Sequence, residues 1–279
     1  MILLDKKDYY RVLNPLKEVK INHLFARTVV ENIITGSVYV DNIINPKVYY
    51  VYHPYGNSLL FGDTNQNDFN SWFLDYALNI SKLRTGFECV QAYPESWQQA
   101  LSVLFGKKLI KIEDNTNKDI SKIEVFSRVN FKFKKSVYLD FKKKNFLNDF
   151  NICRTDKKMF EEMKGKVLPK YFWENADRFY VQGIGFSLKY NDKIVSTAFS
   201  AFIFENQLEI GIETVEDNRG KGFALATCCA IIDYCLANNY EPIWSCRLDN
   251  TGSYNLAQKL GFEPTMYIPA YKLLSNSYV

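Results

Sequence analysis

Residues 213 to 225 read Glu-Thr-Val-Glu-Asp-Asn-Arg-Gly-Lys-Gly-Phe-Ala-Leu. The alternation leading into them, QLEIGIETV (207–215), is that of a strand. The polar run Glu216-Asp217-Asn218 ends it, and an apolar helical stretch follows from Gly222 to about Asn238. Between strand and helix stand Gly220 and Gly222, where a backbone without Cβ can approach a ligand closely. The first N–H groups of a helix have no internal acceptor, and its dipole favours an anion. The three parts together read as a phosphate cradle. Phe223 follows Gly222, so the turn lacks the Gly-Lys-Ser/Thr ending of a P-loop, and it is not G-x-G-x-x-G. A plain glycine turn between strand and helix is the alternative reading.

Upstream, GIGFSLKY, KIVSTAFSAFIF and QLEIGIETV are joined by turns at Asn191-Asp192 and Glu205-Asn206 and predict an antiparallel meander. Downstream come strand PIWSCRL, a helix over Gly252 to Leu260 and strand TMYIPAYKLL. Between about 122 and 183, KIEVFSRVNFKFKK and SVYLDF read as strands, and Asp156–Lys164 and Lys170–Phe179 as helices. The polar segment DNTNKDIS (114–121) is the best boundary, giving domains 1–121 and 122–279. Residues 47–106 run strand, strand, helix, strand, helix, Gly, and residues 193–261 repeat that order, so an ancient duplication is favoured. The first half has no matching glycine loop. Its strand SLLFGD leads into Thr64-Asn65-Gln66-Asn67-Asp68, an acidic turn that would repel an anion.

The 279 residues fit two domains, and 47% hydrophobic and 16% aromatic residues suffice for a real core. A net charge of +4 is too weak to argue for nucleic acid, and the lysines at 132, 134, 135 and 142–144 read as a solvated edge. No apolar run is long enough for a membrane helix and no signal peptide fits, so a soluble, cytoplasmic protein is expected. The six cysteines form no C-x-x-C pair, and His23 and His53 lie far from the cysteine cluster in sequence; no metal site and no Ser-His-Asp triad are expected.

The stretch from 213 resembles motif A of the GNAT acetyltransferases, Arg/Gln-x-x-Gly-x-Gly/Ala, with Arg219, Gly222 and Ala224 at the three specified positions. The family's later landmarks, a strand, an Asn and a helix ending in Gly-Phe, match PIWSCRL, Asn250 and Gly261-Phe262. IVSTAFSAF, EIGIETVEDNRGKGFA and WSCRLDNTGSYNLAQKLGF look like the subfamily that includes the zwittermicin A resistance acetyltransferase. The motifs cover about residues 184 to 273. The resemblance implies an α+β fold with a mixed, mostly antiparallel sheet flanked by helices, and a degenerate GNAT-like N-terminal half.

It also implies transfer of an acetyl group from acetyl-CoA directly to a primary amine of a small-molecule acceptor, with no metal, nucleic acid or membrane involved. A homodimer is left open. Thr214 and Val215 would pair with the pantetheine amides, and Arg219, Gly220, Lys221, Gly222, Phe223 and Ala224 would hold the pyrophosphate. Asn250 would bind the donor or cap the following helix. For a base, Glu209 and Glu213 share one face of a strand, with Gly211 opening space between them. Mutual repulsion of two close carboxylates would suit one of them to accept a proton, and a structural partnership with Arg247 or a nearby lysine is the competing reading. The family's usual tyrosine acid falls at Ala257, so Tyr254, one turn earlier, is the substitute candidate, with packing as its other role. Cys246 as an acyl carrier is disfavoured. The departure at Ala257 also sustains a second reading, a non-catalytic acyl-CoA-binding or sensory module.

Overall fold

The structure is a computed structural model and describes residues 1–144 and 150–275. The chain forms two compact units, one of residues 1–128 and 267–279, the other of residues 129–266.

The first unit opens with β1 (Ile2–Leu3), α1 (Tyr10–Lys17) and α2 (Leu24–Val30). Strands β2 (Ser37–Val40), β3 (Val48–His53) and β4 (Asn57–Gly62) pair antiparallel in turn. Helix α3 (Asn67–Ala77) returns the chain to β5 (Glu88–Tyr93), which runs parallel to β4 from Asn57↔Cys89 to Phe61↔Tyr93. Helix α4 (Ser96–Phe105) ends at Gly106, whose φ of +47° suits glycine, and β6 (Leu109–Lys111) pairs parallel with the start of β7 (Ile123–Phe133). The core packs Tyr50, Phe69, Phe73, Trp97, Leu101 and Phe105 against the sheet. In its midst the buried Glu88 carboxylate accepts hydrogen bonds from the hydroxyls of Tyr50, Ser58 (2.7 Å) and Tyr76 (2.5 Å). These aromatic side chains are thus committed to a core.

His53 is fully buried, and its Nδ1 accepts the Tyr55 N–H at 3.1 Å, so the ring is neutral. Burial pushes its pKa down to about 3. The unfolded chain titrates near 6.5 and therefore binds more protons than the native state between those values, so this stabilisation is complete above 6.5 and is lost as pH falls. Wild type is expected to lose about 2 kcal/mol through this group between pH 7 and pH 5. Urea unfolding at both pH values checks it: His53→Asn, which keeps an acceptor near the Tyr55 N–H, should lose less than wild type.

The second unit holds a sheet in the order β12, β11, β10, β9, β8. Its strands are β8 (Ile152–Arg154), β9 (Gly185–Tyr190), β10 (Lys193–Phe204), β11 (Gln207–Thr214) and β12 (Glu241–Ile243), with α8 (Phe223–Ala237) between β11 and β12. All pairs are antiparallel except β11 with β12. The meander predicted from the turn residues is present, and Asn191 and Asp192 both take positive φ, as a tight hairpin requires. Helix α8 lays Cys228, Ile231, Ile232 and Cys235 on Ala198, Leu208 and Ile210. Burial raises the pKa of the Cys228 thiol, and pushes those of Cys229 and Cys235 up to about 11 and about 12, so these thiols stay protonated packing groups. After β12 come β13 (Ser245–Arg247), α9 (Thr251–Lys259) and β14 (Phe262–Leu273). β13 leaves the five-stranded sheet and lies beside β7, with the Phe131 N–H donating to the Trp244 carbonyl at 3.1 Å. This is the mixed α+β fold expected from the sequence, with element orders 47–106 and 193–261 matching.

Three local readings are corrected. SVYLDF (136–141) is not a strand but part of helix α5 (Lys135–Lys144). Its fully buried Tyr138 donates to the Cys229 carbonyl (3.1 Å) and Asp233 Oδ1 (2.8 Å), and Lys142 pairs with Asp233 at 2.6 Å, so contacts distant in sequence override the alternating pattern. Lys142, Lys143 and Lys144 occupy the last helical turn, where the dipole favours cations. Residues 170–179 split into a short 3₁₀ turn, Pro169–Tyr171, and α7 (Ala176–Gln182), capped by Asn175; α6 (Lys157–Glu162) precedes them. PIWSCRL is two strands, parted at Trp244. No described helix is long and apolar enough to cross a membrane.

Candidate active site

The break at Trp244 shapes the site. β11 and β12 pair only from Gln207↔Glu241 to Glu209↔Ile243. Beyond that point β11 continues to Thr214 while the neighbouring chain turns away, drawn by the buried Trp244 ring, which packs on Phe262 at 5.4 Å and donates to Ser253 Oγ at 3.2 Å. A wedge therefore opens beside the second half of β11. Its other edge is occupied by β10, where Val215 N–H donates to the Val195 carbonyl at 2.9 Å. Antiparallel bonding alternates, so the N–H and C=O groups of Ile212 and Thr214 point toward the wedge. Thr214 is thus placed to pair with an extended ligand, whereas the Val215 N–H is committed to the sheet. Ile212 was not singled out from the sequence; strand parity was the signal, but it needs the register.

The wedge runs out at the glycine turn. A short 3₁₀ turn, Glu216–Asn218, leads to Arg219, and Gly220 (φ +77°) and Gly222 (φ +82°) adopt backbone that L side chains rarely take. A Cβ at either would meet nothing within 4 Å, so it is backbone conformation and not crowding that selects glycine here. Gly222 caps α8 without any side-chain acceptor, leaving the N–H groups of Phe223, Ala224 and Leu225 aimed out of the helix end. Lys221 Nζ donates to the Asp217 carbonyl (3.1 Å) and Asn218 Oδ1 (3.2 Å), which holds its charge over the turn. Two cations and a set of open N–H groups can meet a pyrophosphate.

The first unit differs at the corresponding place. Its parallel strands stay paired through Phe61↔Tyr93, with no opening, and Asp63 takes the place of cations. The Asn65 backbone N–H holds the Asp63 carboxyl below its usual range. A cavity of about 590 Å³ beside it is lined by uncharged Thr64, Asn65, Asn70, Ser96 and Gln99, with Val103 at one side.

The two candidate carboxylates prove unlike. Gly211 does not open space between them: the Phe199 ring fills it, and a Cβ on Gly211 would stand 2.5 Å from that ring. Glu209 and Glu213 lie four residues apart on the strand, roughly 13 Å at the backbone. That is too far for the mutual repulsion expected of a close pair. Glu209 is 8% exposed and sits where β11 and β12 part; its Oε1 accepts the Ser245 hydroxyl at 2.8 Å. Glu213, 9% exposed, accepts the N–H groups of Lys166 (2.8 Å) and Val167 (2.7 Å) on Oε2, and its Oε1 faces Arg219 at 3.7 Å. The cation that meets Glu213 is Arg219, and Arg247 pairs with Asp249. Ser245 and the Lys166-Val167 segment carried no sequence signal.

Of the remaining candidates, Tyr254 packs edge-on against Phe131 at 5.4 Å, and Ala257 is fully buried. Asn250 caps α9, accepting the Ser253 N–H at 3.2 Å. Cys246 is buried on β13. Among the described residues no group of three His, Cys, Asp or Glu side chains is placed to hold a metal ion.

The family model for GNAT acetyltransferase matches residues 14–271. An uncharacterized N-acetyltransferase, YdfB, of Bacillus subtilis (strain 168) is 25% identical over 259 residues, covering 92% of this chain and 93% of that protein. The structure of a GCN5-related N-acetyltransferase-like protein from Streptococcus suis 89/1591 superposes with a TM-score of 0.69, at 19% identity, over 95% of this chain and 98% of that one. A tandem GNAT protein from the clavulanic acid biosynthesis pathway, in a structure without AcCoA, gives 0.62 at 7% identity, over 97% and 98%. At these identities the two structures speak for the fold.

Proposed function

The chain belongs to the GNAT acetyltransferase family, and from that premise we propose that it moves an acetyl group from acetyl-CoA to a primary amine of a small molecule, by direct transfer. The observation that carries this reading is the wedge at Trp244 leading into an uncapped helix start with Arg219 and Lys221 beside it. Ile212 and Thr214 would pair with the pantetheine amides as an added strand, and the turn from Arg219 to Ala224 would receive the pyrophosphate. Within this reading the first unit is a degenerate half, since its strands stay closed and an aspartate stands where a phosphate would need a cation. The wording of residues 194–202 and 209–224 supports a place near the zwittermicin A resistance acetyltransferase. A cytoplasmic setting suits the donor.

The chemistry needs a neutral amine, a polarised thioester carbonyl and a proton for the leaving thiolate. Glu209 is our candidate for the first: a nearly buried carboxylate at the apex of the wedge, steadied by Ser245. Acceptance of the ammonium proton, directly or through one water, would leave the amine lone pair free to attack. Glu213 is already engaged by two backbone N–H groups and a guanidinium. Tyr254, on α9, would serve as the acid for the leaving thiolate. The test is CoA release with acetyl-CoA against polyamines, aminoglycosides, amino acids and peptides. Turnover with at least one amine class is expected. Acetyl-CoA binding without release across the panel would instead give a sensory module, a reading kept alive by Ala257; no binding in calorimetry would overturn both.

A further inference from the structure

Glu213 joins the 165–167 segment to the glycine turn of the second unit. Its Oε2 accepts the Lys166 and Val167 N–H groups at 2.8 and 2.7 Å. This grip depends on Gly165, whose φ is +147° and whose Cβ, if present, would lie 2.5 Å from Glu213 Cγ. The 165–167 strap thus closes directly onto the carboxylate, and Oε2 is fixed. Oε1 is held differently. Its partner is the Arg219 guanidinium at 3.7 Å, on a side chain 56% exposed whose other contact is Nε to the Thr214 carbonyl at 3.2 Å. One oxygen is anchored by backbone and the other is met by a loosely held cation.

Arg219 opens the glycine turn assigned above to the pyrophosphate. Phosphate oxygens offer a guanidinium paired, charge-assisted bonds, stronger than a single contact with a carboxylate at 3.7 Å. We propose that Glu213 is a latch for Arg219: donor binding moves the guanidinium from the carboxylate to the pyrophosphate, and the bared Oε1 then receives the ammonium of a cationic acceptor. The inference rests on the acetyl-CoA reading. A carboxylate 9% exposed that loses its cation is costly to leave unpaired, and an incoming ammonium offsets that cost. Acceptor recognition is thereby tied to donor occupancy, and Glu213 is a positioning residue, while Glu209 takes the proton.

The latch makes an unusual prediction, because an acidic side chain beside the turn competes with the donor for Arg219. Glu213→Gln keeps a carbonyl oxygen for the strap and gives up the charge. It is expected to bind CoA about two- to fivefold more tightly than wild type, the range of an exposed ion pair. In an Arg219→Gln background, where no cation is left to release, the same change should leave CoA affinity unaltered. Calorimetry with CoA on the wild type, both single variants and the double variant closes this cycle. With CoA saturating, wild type should bind spermidine, a probe of ammonium recognition, at least about fivefold more tightly than Glu213→Gln; without CoA the two should bind it alike.

Equal or weaker CoA binding by Glu213→Gln overturns the latch. Equal spermidine affinity with CoA present overturns the ammonium site. Absence of CoA binding by the wild type would instead remove the functional reading beneath both. If Glu213→Gln proves unstable, Arg219→Gln alone decides: it bares Glu213, so its spermidine affinity without CoA should exceed that of wild type, and an unchanged value overturns the proposal.

Discussion

Gly222→Asp is expected to weaken acetyl-CoA binding by a hundredfold or more while moving the melting temperature little. The reason lies in what surrounds Gly222. A Cβ there meets nothing within 4 Å, so the new side chain has room and no core contact is lost. The cost to the fold is the positive φ of +82°, about 1 kcal/mol and least for Asp and Asn among residues with a side chain. Against that, aspartate is a favoured helix cap, and Gly222 stands at the cap of α8 with no side-chain acceptor in place. The introduced carboxylate would bond the open N–H groups of the first turn itself. It would remove the groups that meet the pyrophosphate and add a charge that repels it. Two lost charge-assisted bonds, at about 1.5 kcal/mol or more each, give the hundredfold. Gly222→Ala separates the causes: it carries the strain without the charge and should cost less than tenfold. Calorimetry with acetyl-CoA, alongside thermal melting, reads both quantities; binding by Gly222→Asp within threefold of wild type would show that the helix start does not hold the donor.

This turn was legible in the sequence because its physics is local. Positive φ leaves glycine as its mark at 220 and 222, and the same logic exposed the hairpin at Asn191-Asp192. The parts that escaped depend on partners distant in the chain. Nothing in PIWSCRL, which reads as one continuous strand, signals that Trp244 will leave β11 for Phe262 and Ser253, yet that departure opens the wedge. The assignment of free strand edges to Ile212 and Thr214, with Val215 bound to Val195, follows from register. Gly211, expected to open space between the two carboxylates, is the seat of Phe199, opposite it on β10. The equivalence of Glu209 and Glu213 on an alternating strand was a true statement about faces. It dissolved because Ser245 reaches one and the 165–167 strap the other. A sequence fixes which side a strand residue faces far better than what will be waiting there.

The division between the two glutamates yields the second large effect. Glu209→Gln is expected to lower kcat by about a hundredfold to ten-thousandfold, the usual worth of a general base, with CoA affinity within twofold of wild type. Glu209 lies clear of the glycine turn, at the last paired position before β11 and β12 separate, so the donor's phosphate contacts are untouched. Glutamine is nearly isosteric and keeps an oxygen for the Ser245 hydroxyl, so the loss is one of proton acceptance and not of shape. Ser245→Ala should cost much less, since it removes the group that steadies the carboxylate and leaves the carboxylate itself. The decisive readout is dependence on the acceptor. An amine of low pKa is already neutral at pH 7 and needs no base, so the ratio of wild-type to variant kcat should shrink toward unity as acceptor pKa falls. A ratio that stays constant across a series of amines would place Glu209 in positioning, whatever its size. A ratio near one for every amine would remove it from the reaction and return the role to Glu213, whose own substitution would then have to lower kcat at unchanged KM.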